Sequence, residues 1–215
     1  FDSSASDLCL THTDISSKVH NTTFFSHAQS IAVGLPSRLL RMSSCNKENN
    51  SINSSLLYVS TCLYRGNYSA HFVEFENDYL SFQRELGLVS NVFSKMTYTV
   101  SYKGYPEENP RYIDEDPLIN YVKSVNNIKY IEDKVDVRYL LSEYNIVVTS
   151  GATSTIGWLV MTGKPVVFIN WKSHMPLTTD AKKYFKDGLF LFDGDRKNFY
   201  NDLRLFLETP RNEIQ

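Results

Sequence analysis

The stretch NIVVTSGATSTIGWLVMTGKPVVFIN, residues 145–170, decides how the rest of the chain is read. An apolar run, Ile146-Val147-Val148, breaks into Thr149 and Ser150, then Gly151, Ala152, Thr153, Ser154 and Thr155. A helix-like segment follows and closes on Gly163, and Lys164-Pro165 leads into a second apolar run, Val166 to Ile169. Neither run alternates, so neither strand has a solvent face. Continuous apolar strands belong in a parallel sheet covered on both sides. The stretch therefore predicts two parallel strands and the helix crossing between them, with hydroxyl side chains where strand becomes helix.

The same alternation extends in both directions. SLLYVS (55–60), YTVSYK (98–103), IKYI (128–131) and LFLF (189–192) read as further strands. Residues 73–88 carry Phe75, Tyr79, Phe82 and Leu86 at helical spacing. DPLINYVKSV (116–125) opens on Asp then Pro, a helix start. DVRYLLSEY (136–144) reads as a helix turn or two with Asp136 as N-cap. AKKYFKDG ends on Gly188, and DRKNFYNDLRLFLET (195–209) closes the pattern. About six apolar strands alternating with helices predict an α/β fold, a doubly wound Rossmann-like parallel sheet. This domain is assigned to residues 56–215. Residues 43–55, SSCNKENNSINSS, are almost free of apolar side chains and read as a linker. Residues 1–42 hold two strand-like pieces, DLCLTH and SIAVGLPSRLL, and are too few for a domain. They are expected to be the trailing part of an amino-terminal domain, or a packed extension. With Phe1 first, the chain reads as a fragment.

Composition excludes some functions. A net charge of −2 over 215 residues offers no basic field for nucleic acid. No apolar run approaches the ~20 residues of a membrane span. Cys9, Cys45 and Cys62 are odd in number and widely spaced, which fits neither a disulfide framework nor a zinc site. Reduced thiols and a cytoplasmic setting are expected, at the inner face of the membrane for the full-length protein. Asn-x-Ser/Thr occurs at Asn21, Asn49, Asn53 and Asn67, which an Asn- and Ser-rich chain can produce by chance, with a secreted glycoprotein as the minority reading.

In doubly wound sheets ligands bind beyond the carboxyl ends of the strands. After the first strand stand Thr61, Arg65 and Gly66, the arginine able to grip phosphate with its fork. After the second stand Lys103 and Gly104. After the fourth come Ser150, Gly151, Ala152, Thr153, Ser154 and Thr155. Small residues let a ligand touch backbone, and a helix N-terminus offers free N–H groups and a positive dipole end. After the fifth come Trp171 and His174, candidates for a base, sugar or acceptor. There is no dinucleotide fingerprint, Walker loop, His-Glu-x-x-His or Gly-x-Ser-x-Gly elbow. No Asp-x-Asp pair is placed to hold a metal.

Strand, hydroxyl loop, helix and Gly-Lys-Pro together resemble the carboxy-terminal nucleotide-binding domain of GT-B fold glycosyltransferases. The likeness is strongest to bacterial enzymes of surface polysaccharide synthesis, of the Kdo, sialic-acid and glycerol-phosphate transferring types. It covers about residues 55–209. Such families carry Lys-x-His-Pro after the second strand. Here Lys103-Gly104-Tyr105-Pro106 keeps Lys and Pro and has Tyr105 for His. Relatives also carry a ribose-binding Glu in the helix after the hydroxyl loop, where this chain has none. The resemblance implies a metal-independent transferase acting on a CMP- or UDP-linked sugar, with no cofactor. A glycan or lipid-linked acceptor would meet an amino-terminal domain that supplies the catalytic acid or base, and the full protein would associate peripherally with membrane. A noncatalytic scaffolding domain and a GT-B-like sugar-nucleotide epimerase are the alternatives.

Overall fold

The computed structural model describes residues 6–22, 27–34, 55–60, 78–104, 117–132, 135–151, 154–174 and 176–209. The chain divides into two units, Phe1–Met42 and Ser43–Gln215. In the first, β1 (Leu8–Thr11) and β2 (Gln29–Ala32) pair in parallel around α1 (Asp14–Thr22). The two strand-like pieces of the sequence are these strands. The helix between them carries no apolar stripe and is held by polar side chains. Thr13 Oγ1 accepts from Ser16 N at 3.1 Å, an N-cap. Asn21 takes both backbone groups of Ser30, accepting from its N at 2.8 Å and donating to its carbonyl at 3.2 Å. Ser17 Oγ donates to the same carbonyl at 2.7 Å. The outer edge of β2 is thereby satisfied at Ser30, and the Asn21 amide is engaged at both its oxygen and its nitrogen.

The second unit contains β3 (Leu56–Val59), β4 (Val100–Lys103), β5 (Ile128–Ile131), β6 (Ile146–Thr149), β7 (Val166–Asn170) and β8 (Phe190–Asp193). They form one sheet in the order β5-β4-β3-β6-β7-β8, every neighbouring pair parallel. This is the doubly wound order, in which the chain builds outward from β3 in one direction and then returns to build from β6 in the other. The helices are α2 (Asp78–Asn91), α3 (Pro117–Ser124), α4 (Ser154–Met161), α5 (Thr179–Gly188) and α6 (Phe199–Glu208). No helix among the described residues is long and apolar enough to cross a membrane.

Side chains alternate across the sheet. Tyr58, Tyr102, Ile146, Val148, Val167 and Ile169 pack against Leu88, Val92, Val122, Leu203 and Leu207, so α2, α3 and α6 cover one face. Leu57, Val59, Val147 and Val166 pack with Leu141, Tyr144 and Leu159 on the other, beneath α4. The α5 helix joins that second face through Phe185, whose ring meets Phe168 edge-on at 4.9 Å. Its start precedes the expected one because Thr178 caps it, accepting from Ala181 N at 3.2 Å.

Residues 136–144 form two helical turns, both 3₁₀, Val137–Tyr139 and Leu141–Glu143. Asp136 does cap the first turn, accepting from Arg138 N at 3.0 Å. Tyr79 of the supposed apolar stripe of α2 is 67% exposed, and Phe82 and Leu86 are only partly buried. The buried face is instead Ser81, Arg84, Glu85, Leu88, Val89 and Val92. Residues 73–77, Phe75 among them, lie outside the described residues, as do 43–54 of the linker.

The α4 helix ends as expected, with Gly163 at φ +66°, the left-handed region that favours glycine. The next residue ties the two halves of the second face together. Lys164 Nζ donates to the carbonyls of Leu141 at 2.6 Å, Ser142 at 3.1 Å and Tyr144 at 2.5 Å. A cation thus satisfies carbonyls that close the 3₁₀ turns. Lys164→Met should therefore lower unfolding free energy by about 2 kcal/mol in urea denaturation, since charged hydrogen bonds are worth roughly 1.5–3 kcal/mol. An unchanged urea midpoint would show that these contacts carry no net weight.

Candidate functional site

The carboxyl ends of β3 and β6 lie side by side, Val59 opposite Thr149. The α2 helix covers one face of the sheet and α4 the other. The strand order reverses between β3 and β6, and in sheets of this order the ligand crevice lies at those carboxyl ends. The described residues that border it are polar and buried. Lys103 ends β4 and is 4% exposed, and Thr149 and Ser150 are 0% and 2% exposed. Ser60 is likewise buried and donates its N–H to Lys103 O at 2.9 Å. Thr149 Oγ1 donates to Val59 O at 3.2 Å, closing the strand ends together. Ser150 Oγ is buried without a hydrogen-bond partner.

The register sets which of these side chains share a face. Lys103, Val59 and Thr149 lie in one row on the α4 side. Two strand spacings put the Lys103 and Thr149 backbones about 10 Å apart. Ser150 follows by alternation onto the α2 side, with Tyr58, Tyr102 and Trp171. The crevice therefore receives Lys103 and Ser150 from opposite faces of one sheet. Gly151 is buried, α4 begins at Ser154, and Thr155 in its first turn is half-buried. The first N–H groups of α4 have no partners within the helix and point toward the crevice end.

Other expected site residues fall elsewhere. Thr61, Arg65, Tyr105, Ala152 and Thr153 lie outside the described residues. His174 is half-buried in the turn after β7, its N–H donating to Trp171 O at 3.4 Å. Gly104 makes room within the protein, since a Cβ there would stand 3.0 Å from the Tyr130 hydroxyl. Asp193, which ends β8, and Asp195 form an Asp-x-Asp pair, and one oxygen of each accepts a backbone N–H. Asp193 accepts from Asp195 N at 3.2 Å, and Asp195 accepts from Lys172 N at 2.8 Å.

The α2 side also holds a polar group that the sequence reading passed over. Glu85 is fully buried and accepts from Tyr58 Oη at 2.6 Å and Tyr102 Oη at 3.0 Å. Beside it Arg84, 5% exposed, donates from Nη2 to Ser81 Oγ at 3.3 Å and stands 6.0 Å over the Trp171 ring. Burial pushes the Tyr200 phenol above its ordinary value, opposed by the Arg84 charge. The signal lay in the sequence as Ser81-x-x-Arg84-Glu85, polar residues at helical spacing in line with Leu88 and Val92.

No protein-family model matches the chain, and no curated protein matches its sequence. Among solved structures, the fold is similar to a variant of the wall teichoic acid polymerase TagF with CDPG, at 14% identity and a TM-score of 0.47, over 98% of this chain and 48% of that one. It is also similar to a second structure of the wall teichoic acid polymerase TagF, at 15% identity and a TM-score of 0.40, over 86% of this chain and 42% of that one. A third likeness is to the glycotransferase of kitacinnamycin, at 15% identity and a TM-score of 0.42, over 73% of this chain and 34% of that one. The chain spans less than half the length of each of these three structures.

The Glu85 cluster can be weighed directly. Tyr58→Phe removes one of the carboxyl's two tyrosine donors while keeping the ring in place. A buried carboxyl deprived of a partner costs about 1–3 kcal/mol. Equilibrium urea unfolding should show that loss. A change under about 0.5 kcal/mol would assign α2 docking to its apolar contacts alone.

Proposed function

We propose that the Rossmann-like unit is the donor-binding domain of a metal-independent GT-B-type glycosyltransferase that uses a CMP- or UDP-linked sugar in cell-surface polysaccharide synthesis. The observation that carries this reading is the buried polar rim at the crevice between β3 and β6, with Ser150 Oγ unpartnered at its centre. A buried hydroxyl left without a partner calls for an explanation, and a bound ligand atom supplies one.

On this reading the hydroxyl loop, Ser150 to Thr155, approaches the donor phosphate through backbone and side-chain donors at the start of α4. Lys103 adds an amino group from β4, two strands from β6. Glycosyl transfer moves negative charge onto the leaving phosphate. Preorganised donors and cations at that position lower the barrier without a metal ion. Thr61, Arg65, Tyr105 and His174 complete the proposed donor-binding set. The acceptor and the catalytic acid or base belong to an amino-terminal domain, of which residues 1–42 are the trailing part.

Thermal unfolding of the 215-residue chain against CMP, CDP, UDP and GDP, with and without Mg²⁺, tests the proposal. One nucleotide should stabilise selectively, by about 2.7 kcal/mol at a hundredfold excess over its Kd. The shift should not depend on Mg²⁺. Lys103→Met should weaken that binding about tenfold, the loss of one charged contact. Indifference to all four nucleotides would refute the transferase reading and favour a scaffolding domain.

A further inference from the structure

We propose that Arg84, Trp171 and Ser150 form an oxyanion subsite on the α2 side of the crevice. It takes a second acidic group of the ligand, in addition to the one at Lys103 and the start of α4. The subsite deepens the donor reading and rests on it for the identity of the ligand. It shares Ser150 with that reading and adds Arg84 and Trp171 as its own grounds.

Three observations converge on that side of the sheet. Trp171, one residue past β7, packs in the α2-side core with Val167 and Ile169. Its Nε1–H is buried and has no hydrogen-bond partner. Ser150, one residue past the adjacent strand β6, presents the second partnerless polar atom to the same face. Arg84 reaches in from α2, its guanidinium 6.0 Å from the indole centre. Native proteins rarely leave buried donors unpaired, and two of them at neighbouring strand ends mark a place for an acceptor.

The chemistry of the three groups selects the ligand. An indole N–H donates and does not accept, a guanidinium donates and is always charged, and a hydroxyl donates as needed. Such a set is rich in donors, two of its three groups being unable to accept, and it suits phosphate or carboxylate oxygens. The geometry is held in advance. Phe199 meets the Trp171 ring edge-on at 5.0 Å. Gly194 lies against the Cδ2–Cε3–Cζ3 side of the indole so closely that a Cβ would collide with it. That side is the one remote from Nε1. Glu85 acts as a positioning residue, because its bonds to Tyr58 and Tyr102 fix the turn of α2 that carries Arg84.

The face assignment makes the subsite additional. Lys103 and α4 serve the crevice from the α4 side, whereas Arg84, Trp171 and Ser150 serve it from the α2 side. A ligand that crosses the rim of the sheet between β3 and β6 meets positive charge from both faces.

Trp158 and Trp171 are the two tryptophans, so Trp158→Phe leaves Trp171 fluorescence as a direct reporter. Inorganic phosphate and acetate, titrated separately into that variant, should show a saturable change with one and not the other, which identifies the acid. Ser150→Ala and Arg84→Met, each in the same background, should weaken it about tenfold, the worth of one charge-assisted hydrogen bond. Ser150→Ala removes a single oxygen, and its thermal unfolding curve verifies folding if Arg84→Met proves unstable. No saturable change with either anion, or an affinity untouched by Ser150→Ala, would overturn the subsite. Saturation by phosphate with indifference to all four nucleotides would remove the donor reading and leave the subsite standing. Selective nucleotide binding without any anion response would do the reverse.

Discussion

Everything in the second unit depends on the pairing of β3 with β6. The two strands are 90 residues apart at Val59 and Thr149, yet they lie in register and their ends are tied by the Thr149 hydroxyl. Because each is flanked by another strand, neither has an edge, and both faces are roofed. Their side chains are accordingly apolar until the last turn of the pleat. Polarity then begins at once, with Ser60, Thr149 and Ser150. A fully buried strand cannot carry those groups in its middle without partners. At its carboxyl end, where the chains leave for opposite faces, the sheet can. The crevice is thus a consequence of strand order.

The same logic grades α2 along its length. The helix runs back over the sheet from the carboxyl ends of the strands. Its early buried residues are Ser81, Arg84 and Glu85, and its later ones are Leu88, Val89 and Val92. The polar half lies over the crevice end, and the apolar half over the core. An arginine and a glutamate so deeply buried are tolerable only with partners at hand. Two tyrosine hydroxyls meet the glutamate, and a serine hydroxyl and an indole face lie beside the arginine.

That gradient also explains what could be read from residues alone. The β strands were legible because burial on both faces leaves uninterrupted apolar runs such as LLYV and VVFIN. Lys103 and Ser150 were legible as site candidates because they stand where such runs end. The facing of α2 was misread because its most apolar stripe, Tyr79-Phe82-Leu86, lies beside the buried face, while Arg84 and Glu85 occupy it. Local pattern fails where tertiary hydrogen bonds make room for polar side chains. Helix α1 was missed because Asn21 and Ser17 hold it to a strand by hydrogen bonds, which leave no apolar period. Arg84 and Trp171 stand 87 positions apart and meet only through tertiary packing.

The two ends of residues 145–170 divide the labour of the stretch. At the carboxyl end of β6, Ser150 Oγ is buried without a hydrogen-bond partner. At the far end of α4, Gly163 turns the chain and Lys164 binds three carbonyls of the preceding connection. A lysine committed to three oxygens has little left for a ligand. Its charge instead holds the 3₁₀ turns against the amino end of β7, on the face that roofs Val147 and Leu159. Gly-Lys-Pro is therefore a structural clamp. By fixing where α4 ends, it fixes where α4 begins, and with it the direction in which the helix N-terminus meets the crevice.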